Sequence, residues 1–581
     1  MQLYRLETIF DDPEQNQWMR ISRRAAALRL ALCAAGGVWM ALALPPCNCW
    51  WFSLIALIPV LLAVRHASQW EAWLSGWCWG IGWALPGFWF LREIHPAVPF
   101  LLAPVLALWP ALWSWTARFL MGNLLVTPEE GIKGFAAAAV FRPSVGRMLA
   151  VAFALAAWWT VLEFSRSTML PWNNFSTAMW KLPPVLTLAA VTGPWGISFG
   201  LVLWNAVLAL LILNRSRQSW VLPAAVLILT AAAVSGSIVY NGNLAEEAAA
   251  QPARKITAAA MQGDISQRRN ASGAQAEEAL SIYAALTQSA LCERQADLVL
   301  WPECAVPYPF RGNHRVCEEY RTAVLGLSRA WKSAFLIGTL DYAELAPGSG
   351  EYGMTNSAFL LKNGYLVGRY DKSHRVPFGE YIPFRKFLPD FLIRAIDMNR
   401  DLVPGADHTP MDAAPGVRAG VAICFESVFP YIARESVRRG ANLLTVLSND
   451  AWYPVSSEPE QHLANAVMRS VENHIWSLRC GNNGGSLLIA PDGTIRSVLT
   501  VAGDGAPELR RGRGWGFFEI SVPEKVPQTF FCRYGDWFVW FCGLLSLAAG
   551  AGSICCWILC RSRIMQCAAA EYGMKEDEDH Q

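Results

Sequence analysis

The chain has 581 residues, 54% of them hydrophobic and 16% charged, with a mean hydropathy of +0.25. Globular domains carry about 25% charged residues, so a wholly water-soluble protein is excluded. A formal net charge of +2 gives no basic surface for a polyanion, which excludes nucleic acid as a partner.

Along the chain the apolar excess is uneven. Windows of about 20 apolar residues read as membrane spans. Eight such windows lie near 26–44, 50–65, 73–92, 98–118, 148–165, 195–213, 220–240 and 536–560. Trp50, Trp51, Trp73, Trp77 and Trp220 stand near span ends, as interfacial belts require. The first run follows Arg20, Arg23 and Arg24 and shows no distinct small-x-small cleavage site, so it reads as an uncleaved span rather than a signal peptide.

Basic residues recur in alternate connections: Arg65, then Lys133, Arg142 and Arg147, then Arg215 and Arg217, and finally Arg561 and Arg563 in the tail. The uncharged loop "PPCNC" at 45–49 lies between two such clusters. By the positive-inside rule both termini are expected in the cytoplasm and residues 241–535 outside it. Three parts follow: a membrane domain of seven spans over 1–245, an α/β domain over 255–525, and a last span with a cytoplasmic tail over 530–581. Ionisable residues within the spans are nearly confined to their ends, apart from Glu163.

From 255 to 522 short β-prone runs alternate with helical patterns at 275–293, 313–331 and "PEQHLANAVMRSVENH". Such alternation predicts sheets covered by helices. No phosphate-binding glycine loop or GxSxG elbow is present, and the His and Cys spacing offers no zinc site. Cys292, Cys304, Cys317, Cys424, Cys480 and Cys532 fall in or beside this domain, and their pairing is open.

Three polar clusters stand out. "LWPE" puts Glu303 at the end of a buried strand, where a carboxylate is costly. "RYDKSHRVPFGEY" supplies Lys372 and Glu380, and "ICFES" supplies Cys424 and Glu426. Taken singly, Glu303 reads as a helix cap and Lys372 as a solvated loop lysine. Together they match the needs of thiol acyl transfer: a base, a cation for the oxyanion and a nucleophile. If Glu303 faces the pocket, strand alternation puts Cys304 on the other side.

The run "WPE…YDKSHRVPFGEY…ICFES" resembles the nitrilase superfamily. With "LPWNNFS" at 170–176, "GPWGISF" at 193–199, "LSNDAW" at 447–452, "RYGDW" at 533–537 and the flanking spans, the chain resembles the apolipoprotein N-acyltransferase family of the bacterial inner membrane. The resemblance implies an extracytoplasmic α-β-β-α sandwich beside a membrane helical bundle. It implies Glu303 as general base, Lys372 at the oxyanion, Cys424 as nucleophile, and Glu380 and Glu426 as supporting carboxylates. It further implies a phospholipid acyl donor, a diacylglyceryl-modified apolipoprotein acceptor, no cofactor or metal, and a monomer among membrane lipids.

Three positions depart from the family pattern. Ala271 stands where a loop tryptophan is usual, Phe425 replaces a tyrosine, and "RCGNNGG" varies a common turn. Two rival functions share the sequence: a membrane-tethered amidase acting on small C–N substrates, and a non-catalytic binding or transport protein.

Overall fold

The structure is a computed structural model that describes residues 23–578 except 66, 126–142, 215, 267–271, 346–347, 391–392, 394–400, 454–455, 502–508 and 510. Ala271 and the orientation-setting Arg20, Lys133, Arg142 and Arg215 lie outside the described residues.

The first half is helical: α1 (Arg23–Ala43), α2 (Gln69–Gly87), α3 (Val98–Leu106), α4 (Leu108–Leu124), α5 (Val145–Ser167), α6 (Pro194–Leu213) and α7 (Val221–Ala249). Among the described residues six helical stretches are long and apolar enough to cross a membrane: 25–43, 98–124, 145–167, 194–213, 218–249 and 537–559. Two of the eight expected windows take another form. Residues 50–65 make a 3₁₀ turn, Trp50–Leu54, and a short helix, Ile58–Val64. The window at 73–92 is divided between α2, whose five tryptophans and Glu71 dilute its apolar character, and a 3₁₀ turn, Trp89–Glu93. Here α1 and α2 touch backbone to backbone. A Cβ on Gly82 would lie 2.1 Å from the Ala34 carbonyl oxygen, so only glycine fits.

The second half contains two six-stranded sheets. The strands are β1 (Ala253–Gln262), β2 (Leu298–Pro309), β3 (Ala334–Glu344), β4 (Tyr352–Lys362), β5 (Tyr365–Asp371), β6 (Met411–Ala414), β7 (Val417–Ile423), β8 (Leu443–Ser448), β9 (Ser477–Gly481), β10 (Leu487–Ile489), β11 (Ile495–Val498) and β12 (Gly514–Pro523). One sheet has the order β12-β1-β2-β3-β4-β5, the other β11-β10-β9-β8-β7-β6.

Strand periodicity distributes the side chains. On β2, Leu298 and Leu300 enter the core between the sheets, where Val421, Ile423 and Leu447 meet them. Val299 and Trp301 face the other way, against α8 (Gly273–Glu293) and α9 (Arg315–Ala330), in a core with Tyr283 and Val324. Beyond the second sheet lie α10 (Pro430–Arg438) and α11 (Glu458–Asn473). The layers therefore run α-β-β-α.

The outer layer on the second sheet is not solvated. Leu463, Ala464 and Val467 of α11 belong to the same hydrophobic core as Leu155, Val202 and Leu210 of the bundle. The long α12 (Trp537–Glu578) then returns along the bundle. The cysteines left open for pairing, Cys292, Cys304, Cys317, Cys424, Cys480 and Cys532, are free thiols.

Candidate active site

β2 does not stay regular as far as Glu303. Its pairing with β3 runs from Leu298 to Trp301, then resumes at Val306 opposite Thr339, leaving residues 302–305 bulged. Cys304 sits at φ 45°, a left-handed backbone rare for a side-chain-bearing residue. The bulge lies directly over Gly338 of β3, where a Cβ would come within 2.3 Å of the Pro302 oxygen and 2.6 Å of the Glu303 Cα.

The bulge also corrects the alternation expected of Cys304. Its Sγ lies 3.7 Å from Asn356 Oδ1, the amide whose Nδ2 donates to Glu303 Oε1 at 2.7 Å. A strand's two-residue period holds only while its pleat does, and the left-handed residue breaks it.

Lys372 directly follows β5. Its main chain is held by Asn356, whose carbonyl accepts its N–H at 2.8 Å. Its Nζ is fully buried and donates to Glu303 Oε1 at 3.1 Å and Glu380 Oε1 at 2.8 Å. Glu380 closes a tight turn, its Oε2 accepting the Val376 N–H at 2.8 Å, and Asn356 Nδ2 reaches it at 3.0 Å. Burial disfavours the Lys372 charge, but Glu303 and Glu380 outweigh it and hold its pKa well above the ordinary lysine value.

Cys424 directly follows β7 at φ 52°, opening a 3₁₀ turn over Cys424–Val428. Burial, and then the Glu303 charge, push its thiol well above the usual cysteine value against the pull of Lys372. The resting thiol is therefore neutral, and it needs a base at the moment of attack. Glu426 has a different place. Its carboxylate accepts from Ile423 N at 2.8 Å, Ser373 N at 2.7 Å, Ser373 Oγ at 2.8 Å, His374 N at 3.1 Å and Tyr370 OH at 2.8 Å. It ties the nucleophile's turn to the lysine loop.

The structure thus brings Glu303, Lys372 and Glu380 into direct contact, adds the charge coupling of Cys424, and puts Glu426 behind the turn. Sequence reasoning missed the residues that hold them: Asn356, Tyr370, and a buried group formed by Asp450, Glu458, His462 and Arg479. The signals were polar residues inside apolar elements, the Asn in "MTNSAFLL" and the "QH" of α11.

Cys424, Asp450 and His462 place their sulfur, oxygen and nitrogen within 4.8 Å of one another. The imidazole is committed to hydrogen bonds at both nitrogens, with Cys424 O at 2.9 Å on one and Asp450 Oδ1 at 3.2 Å on the other. Ser427 Oγ also lies 2.8 Å from the ring, and the group reads as a hydrogen-bond network.

The floor of the site comes from the membrane half. Trp172, in "LPWNNFS", stacks on Phe425 at 6.1 Å and donates Nε1–H to Gln461 at 2.7 Å. Phe425 thus meets an aromatic wall. Two residues of α5 fasten this loop. Arg166 donates to the carbonyls of Leu170 and Trp172 at 2.9 and 2.8 Å, and Glu163 accepts the Phe175 N–H at 2.8 Å. The variant turn "RCGNNGG" supplies Asn482, which accepts from Tyr283 OH at 2.9 Å and donates to Asn449 at 3.0 Å, next to the site.

Residues 257–501 match the carbon-nitrogen hydrolase family and residues 36–207 the apolipoprotein N-acyltransferase N-terminal domain. The apolipoprotein N-acyltransferase of Geobacter metallireducens is 30% identical over 526 residues, covering 87% of this chain and 91% of that protein. That of Pseudomonas syringae pv. tomato is 31% identical over 523 residues, with 87% and 92% covered. Among solved structures, an amidase from Nesterenkonia sp. aligns with 47% of this chain and 91% of its own, at 19% identity and a TM-score of 0.31.

Proposed function

This chain belongs to the apolipoprotein N-acyltransferase family, and from that premise we propose that it N-acylates apolipoproteins in two steps through Cys424. In the first, Sγ attacks an ester carbonyl of a phospholipid while its proton passes to the Glu303 carboxylate. The oxyanion that forms faces the Lys372 ammonium. The lysophospholipid leaves by taking the proton back from Glu303, and a thioester remains. In the second, the α-amine of a diacylglyceryl-modified N-terminal cysteine attacks the thioester. Glu303 accepts the amine's proton and returns it to the departing thiolate, so the enzyme is regenerated without cofactor or metal.

One observation carries the assignment of roles. A fully buried ammonium is held between Glu303 and Glu380, with Cys424 coupled to the same charges. Glu380 keeps Lys372 protonated and placed, which frees Glu303 for proton transfer. Glu426 acts through the turn alone. The amidase and transport readings are not favoured, since the relatives match the membrane half together with the hydrolase half.

The same reading gives the arrangement in the cell. The helical half, 1–245, and the last helix, 530–581, span the bacterial inner membrane with both termini cytoplasmic, and the 255–525 domain faces the periplasm as part of a monomer. The shared core between α11 and the bundle supports this: it keeps the thiol close to the lipid surface that both substrates occupy. An oily approach also slows hydrolysis of the thioester.

Incubation with phospholipid alone tests the scheme. The acyl group should remain on the peptide 419–434 as a hydroxylamine-labile adduct, discharge onto added lipopeptide, and be absent from Cys424→Ala. An unmodified peptide in a protein that turns over would remove Cys424 from the mechanism.

A further inference from the structure

We infer that Arg469 is a positioning residue for the nucleophile: reaching from α11, it holds the carbonyl at the far end of the turn that Cys424 opens. This rests on the assignment of Cys424 as nucleophile and adds a residue outside the Glu–Lys–Cys set.

The turn needs a hold from outside itself. Cys424 sits at φ 52°, and a left-handed residue with a side chain persists only where its surroundings over-determine it. At the other end the chain leaves the turn at Phe429 in extended conformation, and Pro430 has no N–H to offer. Val428 is buried, so its carbonyl must be met from another element. Arg469 meets it, donating from Nη1 at 2.6 Å.

α11 runs beside the turn and grips it twice. His462 Nε2 lies 2.9 Å from the Cys424 carbonyl oxygen and 2.8 Å from Ser427 Oγ. Arg469 follows His462 by two helical turns, which puts the pair on one face of α11, about 10 Å apart. A 3₁₀ turn from Cys424 to Val428 rises about 8 Å. The two grips therefore match the two ends of the turn.

Arg469 is itself held. It is buried, and its Nη2 donates to Glu472 Oε1 at 2.6 Å. The Glu472 carbonyl accepts from Thr529 Oγ1 at 2.6 Å, and Thr529 caps the short helix Phe530–Tyr534 that leads into α12. Leu463 and Val467 fix α11 in the core it shares with the bundle. Through α11 the placement of the membrane helices is passed to the residue that aims Sγ.

The test uses the full-length protein in lipid nanodiscs. Removing Arg469 alone would leave Glu472 buried and unpaired, so the main variant combines Arg469→Met with Glu472→Leu. Exchange of a buried ion pair for apolar residues of similar volume is tolerated, but here it leaves the Val428 carbonyl unmet. Its kcat for acyl transfer should fall on the order of tenfold, the scale of one hydrogen bond from a charged donor, with the KM for phospholipid unchanged. Hydrogen exchange in the peptide 419–434 should accelerate by a similar factor while the rest of the domain keeps its protection. Arg469→Lys keeps a charge beside Glu472 but shortens the reach to Val428, and it should fall between the wild type and the double variant in both readings. Wild-type kcat and exchange in either folded variant would overturn the inference. So would a loss of protection spread evenly over the domain, which would reduce Arg469 to a packing group. Exchange is read without lipid substrate. Accelerated exchange in the variants, beside a wild type that forms no thioester, would count against the acyl-transfer scheme and not against the grip of Arg469 on the turn.

Discussion

At the scale of residues, the site is a balance of buried charges, and its predicted responses follow from which charge is removed. Glu303→Gln keeps shape but cannot accept the thiol's proton, and Lys372→Ala removes the cation facing the oxyanion. Each should lower turnover by at least about 10²–10³, with the protein still folded and membrane-bound, as measured by acyl transfer and thermal unfolding. Lys372 also bears on stability. Its folded pKa lies well above the unfolded value, so its contribution is complete throughout the neutral range and is lost only as pH rises through the folded value. In Lys372→Met the carboxylates of Glu303 and Glu380 lose the buried ammonium that both contact. The variant's Tm should therefore lie below the wild type's throughout the neutral range, where that ammonium is charged. An unchanged Tm would show that the ammonium does not hold these carboxylates.

At the scale of elements, the site depends on one broken strand and one loop. The bulge at 302–305 fits because β3 carries glycine at 338. Gly338→Ala would drive a Cβ into the Pro302 carbonyl at 2.3 Å. Overpacking of this kind costs about 1–3 kcal/mol, and here the strain falls on Glu303. Activity should drop more than the shift in Tm explains, and a variant with unchanged turnover would disprove the coupling. Trp172→Ala addresses the loop. It removes the ring beneath Phe425 and the donor to Gln461, at a cost of about 3–5 kcal/mol. Its turnover should fall while Cys424 stays reachable by small alkylating reagents. Loss of alkylation together with turnover would mean that the loop builds the nucleophile's turn itself.

At the scale of the whole molecule, the catalytic half and the helical half share one core. Expressed alone, 253–523 would expose the face of α11 that Leu463, Ala464 and Val467 bury against the bundle. Large exposed apolar patches drive association, so this fragment should aggregate without detergent; a soluble monomer by size-exclusion chromatography would contradict the shared core. Sidedness is testable separately. A reporter fused after Gln251, past the end of α7, should be active in the periplasm and silent in the cytoplasm.

Much of this protein is legible in its amino-acid sequence. The apolar windows announce a helical half because hydrocarbon demands long apolar segments, and the β-prone runs announce two-faced strands because side chains alternate. Glu303 and Cys424 stand out because charged or reactive groups at the ends of apolar runs are costly, whereas Lys372, Glu380 and Glu426 are singled out by the resemblance of their motifs to a known family. The costly strand ends are properties of the local chain, and composition and spacing determine them. The division of labour among the carboxylates is decided only by tertiary structure. Glu380 bonds Lys372 while Glu426 is saturated by main-chain donors that include a loop some fifty residues away in sequence. The direction of Cys304 is likewise decided by the bulge over Gly338, the close approach of α2 to α1 by Gly82 against Ala34, and the place of Trp172 by Arg166 and Phe425. Each of these depends on which distant segments come into contact, and hydrogen bonds and close packing act over a few ångströms of space however far apart the residues lie in the chain.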